Sequence, residues 1–172
     1  MRKFVKPAAR INWQEGLARL ADIAGQAGIN WWTTGKILLP LHGIDADIDD
    51  LDFYFHAKDL EAVNRAFGDY IVEPIVRGGS RGDTFGYNGR IDLGCPVCMF
   101  AEPLACLDDP EPTHFGPYAA AHLETIGWNG RKIKAPPIAL YIKTLQKWGK
   151  TQQAQTIQKQ LEDTLCRAKS AC

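Results

Sequence analysis

Asp47-Ile48-Asp49-Asp50-Leu51-Asp52-Phe53-Tyr54-Phe55 interleaves five apolar residues with four carboxylates. In an extended strand residues i and i+2 share a face. Asp50 and Asp52 then point one way while Leu51, Phe53 and Phe55 point the other, into a core. Asp47 and Asp49 fall in register with the apolar residues and so belong to the turn that enters the strand. Like charges about 7 Å apart along a strand repel each other, and Mg²⁺ is the usual hard-oxygen partner that relieves such repulsion. The same alternation describes an edge strand whose acidic face is simply solvated. Both readings stay open on this pattern alone.

The chain around this strand has 172 residues and no Gly/Ser linker or repeat, so one domain spanning 1–172 is expected. A formal net charge of +0 offers no bulk attraction for nucleic acid, and long nucleic acid is not an expected partner. No apolar run reaches the length of a membrane span, and Met1 to Pro7 lacks the apolar segment of a signal peptide. A cytoplasmic protein without a membrane partner is the expectation. The cysteines are odd in number, which argues for thiols. Cys95-Pro96-Val97-Cys98 has the spacing of half a zinc site but no second matched pair.

Periodicity divides the rest. Leu17, Leu20, Ile23, Ala24 and Ala27 predict an amphipathic helix ending at Gly28. Ile29 to Thr34 is aromatic and β-branched and reads as a strand closed by Gly35. A short helix follows, limited by Pro40. Lys58 to Phe67 predicts a second helix, and Ile71 to Val76 a strand. The loop Arg77-Gly78-Gly79-Ser80-Arg81-Gly82-Asp83 is rich in glycine and carries two arginines, either solvated or clamping a phosphate. Asn88-Gly89 and Asn129-Gly130 each predict a hairpin, the first carrying Asp92 on its second arm. Cys95 to Pro117 shows no sustained period and reads as an irregular crossover. Two helices, Ile138 to Trp148 and about Thr151 to Ala168, end the chain. His42 is expected to pack against or cap the short helix, and Trp128 and Trp148 to lie in the core, with base stacking as the lesser alternative.

At these residues the sequence resembles the nucleotidyltransferase superfamily that includes DNA polymerase β, and most closely its minimal, single-domain members. Ile29 to Lys36 stands where the family has a strand and a Gly-Ser turn, Asp50-Leu51-Asp52 where it has paired metal ligands, and Asp92 fits its third carboxylate. One departure is Lys36, where the family usually has Ser. The resemblance implies an α+β fold, a small mixed sheet flanked by helices with further helices at the C-terminus.

It also implies Mg²⁺-dependent transfer of a nucleoside monophosphate from a nucleoside triphosphate to an acceptor hydroxyl, releasing pyrophosphate. ATP is the expected nucleotide. Asp50, Asp52 and Asp92 would hold two Mg²⁺ ions, with Asp92 also serving as base. Thr34, Gly35, Lys36 and Lys147 would bind nucleotide. The resemblance leaves room for a non-catalytic binding module, for a metal-dependent phosphohydrolase, and for a homo-oligomer formed through the Gln-rich terminal helix. The acceptor is not legible in the sequence.

Overall fold

The computed structural model describes residues 12–79 and 81–170. Helix α1 (Trp13–Gln26) starts where Asn12 Oδ1 accepts the backbone N–H of Glu15 at 2.9 Å, an N-cap that satisfies an orphan donor. Its buried stripe is Gly16, Leu17, Leu20 and Ala24. Strand β1 (Trp31–Trp32) is shorter than the 29–34 expected. A 3₁₀ turn at Gly35–Ile37 leads into α2 (Leu38–Leu41), and a loop through Asp45–Asp49 leads to β2 (Leu51–Phe55). Then come α3 (Leu60–Phe67), β3 (Ile71–Arg77), β4 (Phe85–Asp92) and β5 (Pro96–Pro103). The last third contains α4 (Pro117–Ala121), β6 (Glu124–Trp128), β7 (Arg131–Ala135), α5 (Ile138–Lys147) and α6 (Thr151–Ser170).

The main sheet has the order β1-β2-β5-β4-β3. Only β2 and β5 run parallel; the other pairs are antiparallel. One face packs on α1 and α3 through Leu17, Leu20, Leu51, Phe53, Val63, Phe67 and Met99. The opposite face is apolar at one end, where Trp32, Tyr54, Phe85 and Phe100 meet Leu107, Ala119 and Leu140. Toward the other end it turns polar with Asp50, Asp52 and Arg90. A third cluster joins α2, α5 and α6 through Leu38, Tyr141, Leu145, Ala154 and Ile157. The architecture is the expected α+β mixed sheet with flanking and C-terminal helices. No helix among the described residues is long and apolar enough to cross a membrane.

Two expectations fail here for physical reasons. Asn88 and Gly89 make no turn: both lie inside β4, where Asn88 pairs with Val76 on one side and Phe100 on the other. Gly89 is needed because a Cβ there would stand 2.8 Å from the Cα of Ile75, beside an irregularity in the β3–β4 register. Residues 95–117 are not all irregular either, since they contain β5, an interior strand. Its prolines sit at its first and last positions, where a missing N–H is tolerated. The Asn129-Gly130 hairpin does form, joining β6 and β7 with both turn residues at positive φ, 46° and 74°.

Candidate active site

The acidic strand adopts the register that its alternation predicts. Leu51, Phe53 and Phe55 are buried on the helix side, while Asp52 is partly buried and Asp50 exposed on the other. Directly across the sheet, Asp52 pairs with Cys98 on β5, and Cys98 pairs with Arg90 on β4. Residues opposite one another share a face, so carboxylate, thiol and guanidinium form one row across three strands.

The chain approaches this row from β1. Thr33 Oγ1 donates to the backbone carbonyl of Asp52 at 2.6 Å, tying the two strands together. Gly35 follows with φ +86°, a backbone state that suits glycine. A Cβ at Gly35 would lie 2.9 Å from Asp52 Oδ2, so only a residue without one brings the turn against the carboxylate unhindered. Thr34 Oγ1 donates to the carbonyl of His114 at 2.9 Å, joining the same turn to the C-terminal half.

A cavity of about 430 Å³ opens between this face and residues 107–115 and 148, with Asp50, Asp52, Arg81, Cys98, His114 and Trp148 among its walls. A second of about 380 Å³ continues past Asp50, Arg81 and Cys98 toward Glu73, Asn88 and Arg90. The first is largely aromatic and the second polar.

Electrostatics sets the protonation of the walls. Burial pushes the Asp52 carboxyl up to about 7, Asp50 adds to the rise, and Arg81 opposes it. Burial also raises the Cys98 thiol to about 11, helped by Asp52 and Asp50 and opposed by Arg90 and Arg81. Tyr54 is held well above its ordinary value, again chiefly by burial. Burial alone lowers His114 to about 3. At neutral pH the thiol, the phenol and the imidazole are therefore all uncharged.

Other anticipated residues are placed elsewhere. Asp92 lies one strand beyond Cys98, facing Pro96 across β4–β5, and its Oδ1 accepts the backbone N–H of Gly94 at 2.7 Å. It caps the tight turn into β5 and lines neither cavity; with β5 between them, β2 and β4 run about 10 Å apart. Among the described residues no three His, Cys, Asp or Glu side chains gather to hold a metal ion. Lys36 is exposed and faces the loop carrying Asp45, Asp47 and Asp49, outside the cavity of Asp50 and Asp52. Lys147 Nζ donates to the carbonyls of Asp109 and Glu111 at 2.9 and 3.2 Å and is likewise outside. Thr34 is buried and its hydroxyl is committed to His114, which makes it a strut. Arg77 pairs with Glu102, leaving Arg81 as the loop arginine that reaches the cavity. His42 caps α2 as expected, its Nδ1 2.8 Å from the carbonyl of Leu38. Trp148, expected in the core, is 51% exposed. Cys95 packs under α1 against Gly16 while Cys98 faces the cavity, so the two thiols stand on opposite sides of the sheet.

Cys98 and His114 were not anticipated at the site, and Trp148 was expected chiefly in the core. Cys98 becomes visible only once β5 is recognised as the parallel neighbour of β2. Nothing local in the sequence signals His114.

No family model and no curated protein matches the sequence. The fold does match solved structures. A Thermotoga maritima protein assigned to the nucleotidyltransferases superposes with TM-score 0.59 at 16% identity, covering 90% of this chain and 97% of the other. The lincosamide antibiotic adenylyltransferase LnuA, solved with lincomycin, gives 0.58 at 16% identity, covering 88% and 97%. ANT(2″)-Ia, solved with adenylyl-2″-tobramycin, gives 0.53 at 12% identity, covering 93% and 99%. At these identities the likeness is one of fold: the chain has the nucleotidyltransferase fold.

Proposed function

We propose that this protein transfers a nucleoside monophosphate from a nucleoside triphosphate to the hydroxyl of a small acceptor. The observation that carries this reading is the placement of Asp50 and Asp52 at the wall of the aromatic-lined cavity, with the Gly35 turn against the Asp52 carboxylate. The structures of like fold include a lincosamide antibiotic adenylyltransferase and a protein solved with adenylyl-2″-tobramycin, which supports a small-molecule acceptor and ATP as the nucleotide.

The donor set suits Mg²⁺, which takes one or two carboxylates and completes its shell with substrate phosphates and water. Asp50 and Asp52 would be those carboxylates, and burial beside another negative group already gives Asp52 a reason to attract a cation. Bound there, Mg²⁺ would neutralise phosphate charge and polarise the α-phosphorus.

In the reaction the acceptor oxygen forms a bond to the α-phosphorus and the bond to the β-bridging oxygen breaks, so pyrophosphate leaves. Gly35 allows the phosphates to approach the backbone, and Arg81 supplies a fixed positive charge. Burial holds the Cys98 thiol and the Tyr54 phenol above their ordinary values and His114 below its own, which disfavours all three as the base. Asp50, exposed at the cavity mouth, receives the acceptor proton. Lys36 lies outside the cavity, so its replacement of the usual serine puts no bulk on the nucleotide's path.

Calorimetric titration with ATP, with and without Mg²⁺, tests the reading. Triphosphate binding should require Mg²⁺ and should vanish in Asp50→Asn and Asp52→Asn. Binding that ignores both the metal and these substitutions would refute it.

A further inference from the structure

His114 is 5% exposed, and neither of its ring nitrogens has a hydrogen-bond partner among the described residues. An unpartnered buried polar group is costly and uncommon, and calls for a reason. The ring lies flat on Tyr141, with centroids 5.0 Å apart and planes 14° apart, and meets Phe115 and Trp148 edge-on at 4.7 and 5.9 Å. Its backbone is clamped on both sides, the N–H donating to Thr144 Oγ1 at 3.1 Å and the carbonyl accepting from Thr34 Oγ1. Thr34 adjoins the glycine that touches Asp52. The imidazole is thus held at a set position relative to the carboxylate pair, inside the same cavity.

What covers it is a half-exposed indole. Trp148 ends α5 and is followed by Gly149 at φ +74°, so a large apolar ring sits at the lip of the cavity. We infer that His114 and Trp148 form the receptor for the nucleobase: Trp148 stacks on its face, and His114 reads its polar edge with one ring N–H and one ring nitrogen lone pair. This rests on the nucleotide reading given above and names the residues that select the base. Burial keeps the imidazole neutral, which leaves it both a donor and an acceptor. A flat ring with apolar faces and a hydrogen-bonding edge suits the aromatic arm. The polar arm, with Glu73, Asn88 and Arg90, lies on the far side of Asp50 and suits a hydroxylated acceptor. Because both ring nitrogens are sealed in the free chain, Trp148 must rotate away from His114 when the base enters.

Titration of the wild type, His114→Phe and Trp148→Ala with the four nucleoside triphosphates and with inorganic tripolyphosphate, all with Mg²⁺, tests the inference. The wild type should bind its preferred nucleotide at least about tenfold more tightly than tripolyphosphate, as base stacking contributes on that scale. Trp148→Ala, at a half-exposed position, should lose most of that margin for every nucleotide and none of the tripolyphosphate affinity. His114→Phe should keep tripolyphosphate binding while the spread among the four bases narrows to about twofold, a loss that hydrogen-bond magnitudes allow. An unchanged spread in His114→Phe, or an unchanged margin in Trp148→Ala, overturns the inference and leaves the nucleotide reading standing. So does a wild type that binds tripolyphosphate as well as any nucleotide, which would give the aromatic arm to the acceptor. If the wild type binds neither, both readings fall.

Discussion

Gly35, just past β1, stands so close to Asp52 of β2 that a methyl group on it would lie 2.9 Å from the carboxylate oxygen. The start of a helical turn, whose free amides favour anions, thus stands beside the Asp52 carboxyl.

Gly35→Ala should therefore do two things. The positive φ strains an alanine, lowering stability by about 1–3 kcal/mol. The methyl also displaces Asp52, so Mg²⁺-dependent triphosphate affinity should fall more than stability alone explains. Thermal melts paired with calorimetry separate the effects; intact affinity in a folded variant would remove Gly35 from the site.

Asp52 makes stability depend on pH in a defined direction. Its folded carboxyl titrates at about 7 against 3.8 in a free chain, so its charge costs nothing below 3.8 and the full amount above 7. In EDTA, Asp52→Asn should melt with the wild type at pH 3.5 and above it at pH 8, by about 2 kcal/mol once screening of a partly exposed group is allowed for. Mg²⁺ with triphosphate should reverse the order. A lower melting temperature for the variant at pH 8 in EDTA contradicts the assignment.

The Cys98 thiol, raised to about 11, should alkylate at pH 8 on the order of a hundredfold more slowly than a small thiol of pKa about 8.5. Asp52→Asn removes a neighbouring negative charge and should speed the reaction. Mass spectrometry after iodoacetamide treatment follows Cys98 by peptide, and equal rates in the two proteins would mean that Asp52 exerts no field on it.

Asp92→Ala should lose the turn hydrogen bond to Gly94 and about 0.5–1.5 kcal/mol of stability. Triphosphate and Mg²⁺ binding should be unaffected. Calorimetry showing a loss comparable to that of Asp50→Asn would return Asp92 to the metal site.

Strand β2 and its two-faced side-chain distribution were legible because alternation is a property of the local backbone, and any pairing preserves it. The Asn129-Gly130 hairpin was legible for a similar reason. Strand β5 was not: Pro96 and Pro103 carry the local signature of a loop, and only pairing with β2 and β4 makes the segment between them a strand. With β5 hidden, Asp92 stood as the nearest third carboxylate, although Cys98 occupies the position beside Asp52. Asn88-Gly89 misled because a glycine admitted for close backbone approach looks the same in sequence as one admitted for a turn. His114 and Trp148 owe their positions to tertiary burial, which leaves no periodic trace.

Residues 33 to 35 do more than turn the chain. Thr33 is bonded through its hydroxyl to β2 and through its N–H to the carbonyl of Lys134 on β7, while Thr34 is bonded to His114. Both hydroxyls are buried. The carboxylate wall and the aromatic wall are thus riveted to the same short segment and cannot swing apart like the jaws of a clamshell. Ligand entry must then proceed by the turning of individual side chains at the rim, which makes this cavity a fixed socket with a movable latch.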